Sequence, residues 1–152
     1  MAHTNRVRVV LGGLLAGVLI NLSEFVTNGV VLKDDWAQAM QALGKSPVLS
    51  GSAIVTFNIW GFLVGIAAVW LYAAIRPRYG AGVGTAVRSG LVVWALVVFL
   101  ANLANYPLGI FPTRLLVITS SVAIVELVLA TVLGAWIYKE EASAGGVRSA
   151  AA

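Results

Sequence analysis

Four long apolar runs organise the chain, over residues 9–32, 51–75, 90–106 and 115–138, and the polar residues gather between them. A hydrocarbon core about 30 Å thick takes roughly 20 apolar residues to cross, a length that three of the runs meet. The third run is the shortest and gains a turn if residues 85–89 join it. In lipid a backbone must satisfy its own hydrogen bonds, so helices are expected rather than open strands. The pattern thus predicts an all-α integral membrane four-helix bundle as a single domain over residues 1–138. A tail over residues 139–152, rich in Ala, Ser and Gly and without apolar period, is expected to be disordered.

The connections differ in character. After the first run come Asp34, Asp35 and Trp36, with Trp36, Met40 and Leu43 at helical spacing and Gly44 closing the segment. That spacing predicts a short amphipathic helix lying at the membrane surface in the first outer loop, capped by Asp34 or Asp35, with Trp36 among the lipid headgroups. The segment 105–112 holds Pro107 and Pro112 and reads as a tight turn. The segment 76–84 is rich in glycine, but it lacks the ordered G-x-x-x-x-G-K-[ST] pattern and the preceding strand of a phosphate-binding loop. A flexible, positively charged connector is the expectation there.

Composition narrows the field further. Of 152 residues, 60% are hydrophobic and 11% charged, and the mean hydropathy of +0.94 leaves too little polar surface to coat a soluble globule. The net charge of +4 comes without a basic helix face or an aromatic-interleaved patch, so nucleic acid is not an expected partner. The chain has no cysteine, and its one histidine, His3, precedes the first run. Disulfides and thiolate sites are thereby excluded, no cofactor is expected, and no catalytic motif points to an enzyme. The basic start with Arg6 and Arg8 resembles that of a signal peptide, yet the run is too long and no A-x-A pattern follows it, so it is read as a retained helix.

Charge also predicts orientation. Arg6, Arg8, Arg76, Arg78, Arg88, Lys139 and Arg148 flank one side of the runs, against Lys33, Lys45 and Arg114 on the other. Basic residues are retained on the cytoplasmic side, so both termini are expected in the cytoplasm.

Two carboxyls, Glu24 and Glu126, lie within apolar runs, where ionisable groups are costly and point to function. On the first helix Gly13, Gly17, Asn21, Glu24 and Asn28 fall on one face. Similar small or polar faces run through Asn58, Gly61, Gly65, Ala68 and Tyr72 on the second helix and through Thr119, Ala123, Glu126, Ala130 and Gly134 on the fourth. The third helix offers Trp94, Val98, Asn102 and Asn105. The G-x-x-x-G spacings at Gly13/Gly17 and Gly61/Gly65 suit close helix approach.

At 1.5 Å per residue, Glu24 stands about 24 Å above the cytoplasmic end of its helix and Glu126 near mid-depth. Polar groups are therefore expected to converge in the outer half, with Asn21, Glu24, Asn28, Asn58, Asn102, Asn105 and Glu126 as a candidate pocket and Arg114 pairing with Glu24 across its mouth. The inner half shows no equivalent cluster. Two readings follow: protonated carboxyls and asparagines acting as interhelical hydrogen-bonding glue, or an outward-facing pocket for a proton, cation or small polar solute. The first makes the chain a structural or accessory membrane module, joined to a copy of itself or another membrane protein through its small-residue faces. The second makes it a translocator.

The glycine-rich first helix, the segment Trp36-Ala37-Gln38-Ala39-Met40 and the closing Leu133-Gly134-Ala135-Trp136 resemble small four-span bacterial membrane proteins of unassigned function. That resemblance implies a compact four-helix fold in the bacterial inner membrane and transfers no site residue.

Overall fold

The structure, a computed structural model, describes residues 4–138. The 139–152 tail, His3 and Lys139 lie outside the described residues. Helix α1 spans Arg6–Val31, α2 Lys33–Ala42, α3 Gly51–Tyr79, α4 Val83–Leu108 and α5 Thr113–Ile137. All but α2 are long and apolar enough to cross a membrane.

Local chemistry explains where the helices depart from the apolar runs. Helix α1 starts at Arg6 because the Asn5 side chain caps it, accepting the Arg8 N–H at 3.0 Å. Ser50 does the same for α3, accepting the Ala53 N–H at 3.2 Å. The anticipated connector over 76–84 is mostly helical. Pro77 removes only one backbone bond near the end of α3, and Arg76 and Arg78 in the last turn complement the helix dipole. Only residues 80–82 connect α3 to α4, with Gly80 at φ +81° and Gly82 at φ +131°, conformations that side chains rarely adopt. The Thr85 hydroxyl donates to the Gly80 carbonyl at 2.7 Å and the Gly82 N–H to the Tyr72 hydroxyl at 3.3 Å, which pins the hairpin.

Helix α2 departs from expectation at its start. Leu32 occupies the cap position without a side-chain bond, while Asp34 and Asp35 lie in the first turn. There they favour the helix dipole instead of capping. The other end closes on Gly44 at φ +68°, with Lys45 N–H to the Met40 carbonyl at 2.9 Å and Gly44 N–H to the Gln41 carbonyl at 2.9 Å. These paired bonds form a Schellman motif.

Helices α1 and α4 are composite. Phe25–Val31 in α1 and Ala95–Phe99 in α4 are π-helical, and α4 ends in a 3-10 turn at Tyr106–Leu108 before Gly109 at φ +61°. Both π segments lie in the halves of their helices nearer α2, and Pro112 leads into α5.

Around the bundle the order is α1, α3, α4, α5, with α5 returning to α1 and α3 meeting α5 across the middle. The core is built from small residues and a few aliphatics: Ala16 and Ile20 of α1, Ala68 and Val69 of α3, Ala86 of α4, Leu127 and Ala130 of α5. Backbones touch where glycines meet. A Cβ added to Gly65 would lie 2.5 Å from the Gly13 carbonyl oxygen and 2.6 Å from the Gly17 nitrogen, and one on Gly134 would lie 2.6 Å from the Gly12 carbonyl oxygen. Close approach of this kind holds helices together in lipid, where burial of apolar surface supplies little. The outward surface carries large exposed apolar side chains, among them Leu22, Phe57, Leu63, Trp70, Leu96 and Trp136. Such a belt suits lipid and not water.

Three buried serine and threonine hydroxyls lie in the half away from α2, and each bonds a backbone carbonyl. Ser89 donates to the Ala68 carbonyl at 2.8 Å, Thr131 to the Leu127 carbonyl at 2.6 Å and Thr85 to the hairpin carbonyls. At the end of this half, Arg8 donates to the Ile137 carbonyl at 3.2 Å, and the Arg76 guanidinium sits 5.5 Å from the Tyr138 ring centre. Arg6, Arg8, Arg76, Arg78 and Arg88 thus share one end of the bundle, and α2 covers the other.

Candidate functional site

The candidate polar residues divide into separate groups. The largest joins α1, α2 and α5. Asn28, one turn beyond Glu24, donates its side-chain N–H to the Glu24 carboxylate, and its own oxygen accepts the Trp36 indole N–H at 2.8 Å. Across the α1–α5 interface the Ser23 hydroxyl is the hydrogen-bonding neighbour of the Glu126 carboxyl, and Glu24 is its acidic neighbour. Glu126 is buried at 5% exposure. Glu24 is half-buried where the α-helical part of α1 passes into its π segment. π turns occur often at functional sites, where they widen the spacing of the side chains they carry.

A second contact joins α1 to α3, with Asn21 donating to the Asn58 carbonyl at 3.2 Å. The Asn58 side chain is exposed and turns back to the Ile54 carbonyl of its own helix at 2.8 Å. A third joins α4 to α5: Asn102 donates to the Ser120 hydroxyl at 2.8 Å, and the Trp94 indole N–H to the Ser120 carbonyl at 2.9 Å. Asn105 is exposed and donates to the Ala101 carbonyl of its own helix at 2.8 Å. Asn58 and Asn105 therefore satisfy themselves locally, as short amide side chains readily do.

Arg114 does not reach Glu24. It pairs with Asp35, tying the start of α5 to the first turn of α2. The pair is exposed, so water screens it and its contribution to stability is small. The stronger tie beside it is apolar. Leu32, Ala39 and Leu115 bury one another, and the Trp36 ring meets Phe111 edge to face at 5.4 Å. Trp36 is half-buried and docks α2 onto the bundle end, so its indole N–H is occupied by Asn28 and not by a headgroup. Replacing Trp36 with Phe keeps the apolar contact and leaves the Asn28 oxygen without its donor. The expected loss is about 1 kcal/mol, read by denaturant unfolding in mixed micelles, together with faster hydrogen exchange in α2.

Ser23 and Ser120 complete these contacts and were not among the residues singled out from the sequence, whereas Trp36 was expected at the headgroups and instead bonds Asn28. Ser23 was legible only as the neighbour of Glu24, and Ser120 carries no local signal. Among the described residues, no group of three or more His, Cys, Asp or Glu side chains is placed to hold a metal ion. Comparison with known proteins finds no family model, no curated relative and no solved structure that matches the chain.

Proposed function

We propose that the chain is a structural or accessory module of the bacterial inner membrane, with both termini in the cytoplasm and α2 lying on the outer surface. The observation that supports this reading is the way the polar side chains within the helices are used. Asn21, Asn28, Asn102 and Ser89 are each engaged across helices, with the Asn58 carbonyl, the Trp36 indole, the Ser120 hydroxyl and the Ala68 carbonyl respectively. In the half toward the arginine-rich end, where Ser89 lies, glycines pack against the backbones of neighbouring helices. Interhelical bonds of this kind fix register while contributing only about 0.6–2 kcal/mol each. The gathering of Arg6, Arg8, Arg76, Arg78 and Arg88 at one end of the bundle supports the reading that this end faces the cytoplasm, where basic residues are retained.

A partner would meet the outward faces, because Gly13, Gly17, Gly65, Gly90 and Gly134 already face neighbours within the chain. Mild-detergent extraction of the intact chain from its own membrane is expected to bring down a membrane protein in fixed stoichiometry. In sealed vesicles the purified chain is expected to conduct protons and potassium no faster than empty vesicles do. A lone monomer would count against the module. Flux abolished by Glu24→Gln or Glu126→Gln would replace it with the translocator.

A further inference from the structure

A groove follows the outward seam between α1 and α5, with a volume of about 670 Å³. Its lining runs along α5 from Val117 to Leu129, about 18 Å at the helical rise. The walls are aliphatic, with Leu19 of α1 facing Val122, Val125 and Leu129 of α5, and Ser23 and Glu126 are the polar groups deepest in the seam. Val125 and Leu129 are more than half exposed, so the groove opens sideways, toward lipid in a membrane-spanning bundle. Glu126 itself is 5% exposed, sits near the middle of α5 and has Glu24 as its acidic neighbour.

This is a mismatched environment for an acid. The nearest basic residue along α5 is Arg114, three turns away and paired with Asp35. The other arginines of α1, α3 and α4 gather at the far end of the bundle. In a medium of low dielectric a carboxylate attracts a cation much more strongly than it does in water. The volume falls in the range of about 300–1,000 Å³ that small-molecule sites occupy, and aliphatic walls with one or two polar groups are their usual lining.

We propose that the α1–α5 groove binds a lipophilic organic cation entering from the bilayer, its apolar body against Leu19, Val122 and Val125 and its charge on the Glu126 carboxylate. Neutral lipid chains would fill the walls equally well but bring no counter-charge to the carboxyl. The positive charge is what selects the ligand.

The test uses the full chain in lipid nanodiscs with radiolabelled tetraphenylphosphonium, and with tetraphenylborate as a probe of the same shape and opposite charge. Saturable binding of the phosphonium at one per chain is expected, with none of the borate. Glu126→Gln is expected to weaken it about thirtyfold or more, the scale of removing one partner of a buried charge pair. Ser121→Trp fills the groove from an exposed position whose hydroxyl bonds only its own helix, and it is expected to abolish binding in a normally folded bundle. If Glu126→Gln fails to fold, Ser121→Trp decides alone. Non-saturable binding, equal binding of both probes, or binding indifferent to Ser121→Trp would overturn the proposal. So would a dimer joined across this seam, seen as self-crosslinking of Ser121→Cys, because a second copy would then occupy the groove.

Discussion

Gly65→Val is expected to unseat α3 from α1 and to cost about 3 kcal/mol, the upper part of the range for overpacking a tight core. A Cβ at this position meets backbone, 2.5 Å from the Gly13 carbonyl oxygen and 2.6 Å from the Gly17 nitrogen, so no side-chain rotation relieves it. The two helices must separate, and with them go the neighbouring contacts of Gly13 on Ile66 and Gly17 on Phe62. Gly65→Ala already introduces the clash and should fall between the wild type and Gly65→Val. Gly84 supplies the control, since a Cβ there meets nothing within 4 Å. Gly84→Ala should be neutral or stabilising by up to about 1 kcal/mol, from helix propensity alone. Unfolding by SDS in mixed micelles, followed by circular dichroism, ranks all three.

Gly134→Val is the second large effect, and its cause is a junction of three helices. The added Cβ would lie 2.5 Å from a methyl of Val69 on α3, 2.6 Å from the Gly12 carbonyl oxygen and 3.2 Å from the Ala16 Cβ on α1. Val69 is fully buried and β-branched, so its methyl has little room to turn away. The expected loss again approaches about 3 kcal/mol. It should exceed that of Leu127→Ala, although Leu127 is 2% exposed. In water-soluble cores such a truncation costs about 2–5 kcal/mol, but part of that is transfer from water. A helix separated from its neighbours here still sits in lipid, so mainly the packing loss remains. An order in which enlarging glycine does more harm than shrinking leucine is a signature of a membrane bundle. The reverse order would indicate a core built by the hydrophobic effect.

These glycines show what was legible in the sequence. The Gly13/Gly17 and Gly61/Gly65 spacings mark a close helix contact without naming the partner, and the two motifs face each other across α1 and α3. The contact between Gly12 and Gly134, and that of Gly90 on the Leu127 carbonyl, have no such spacing and needed the helix order. Glu24 and Asn28 were readable as a pair because they lie one turn apart. Trp36 was not readable as the third member, since its partner belongs to another helix and interfacial tryptophan offered a simpler account. The candidate site was least legible where a residue had two possible partners. Arg114 faced both Glu24 and Asp35, and folding α2 over the end of α5 brought Asp35 nearer. Asn58 and Asn105 share a face with polar neighbours, yet a carbonyl four residues back on the same helix satisfies each. The π segments left no trace in the apolar pattern, because a widened turn shifts the helical phase without interrupting a predominantly apolar run.

The placement of the two ends of the bundle on opposite sides of a membrane underlies the whole account, and the lack of cysteine in the chain makes it directly measurable. Lys45→Cys, just beyond α2, and Arg78→Cys, in the last turn of α3, are each expressed alone in bacterial cells and exposed to a membrane-impermeant maleimide. The expected result is labelling of Lys45→Cys in intact cells and of Arg78→Cys only after the membrane is opened. Labelling of both from the same side would contradict four membrane-crossing helices, and labelling of Arg78→Cys alone in intact cells would reverse the orientation.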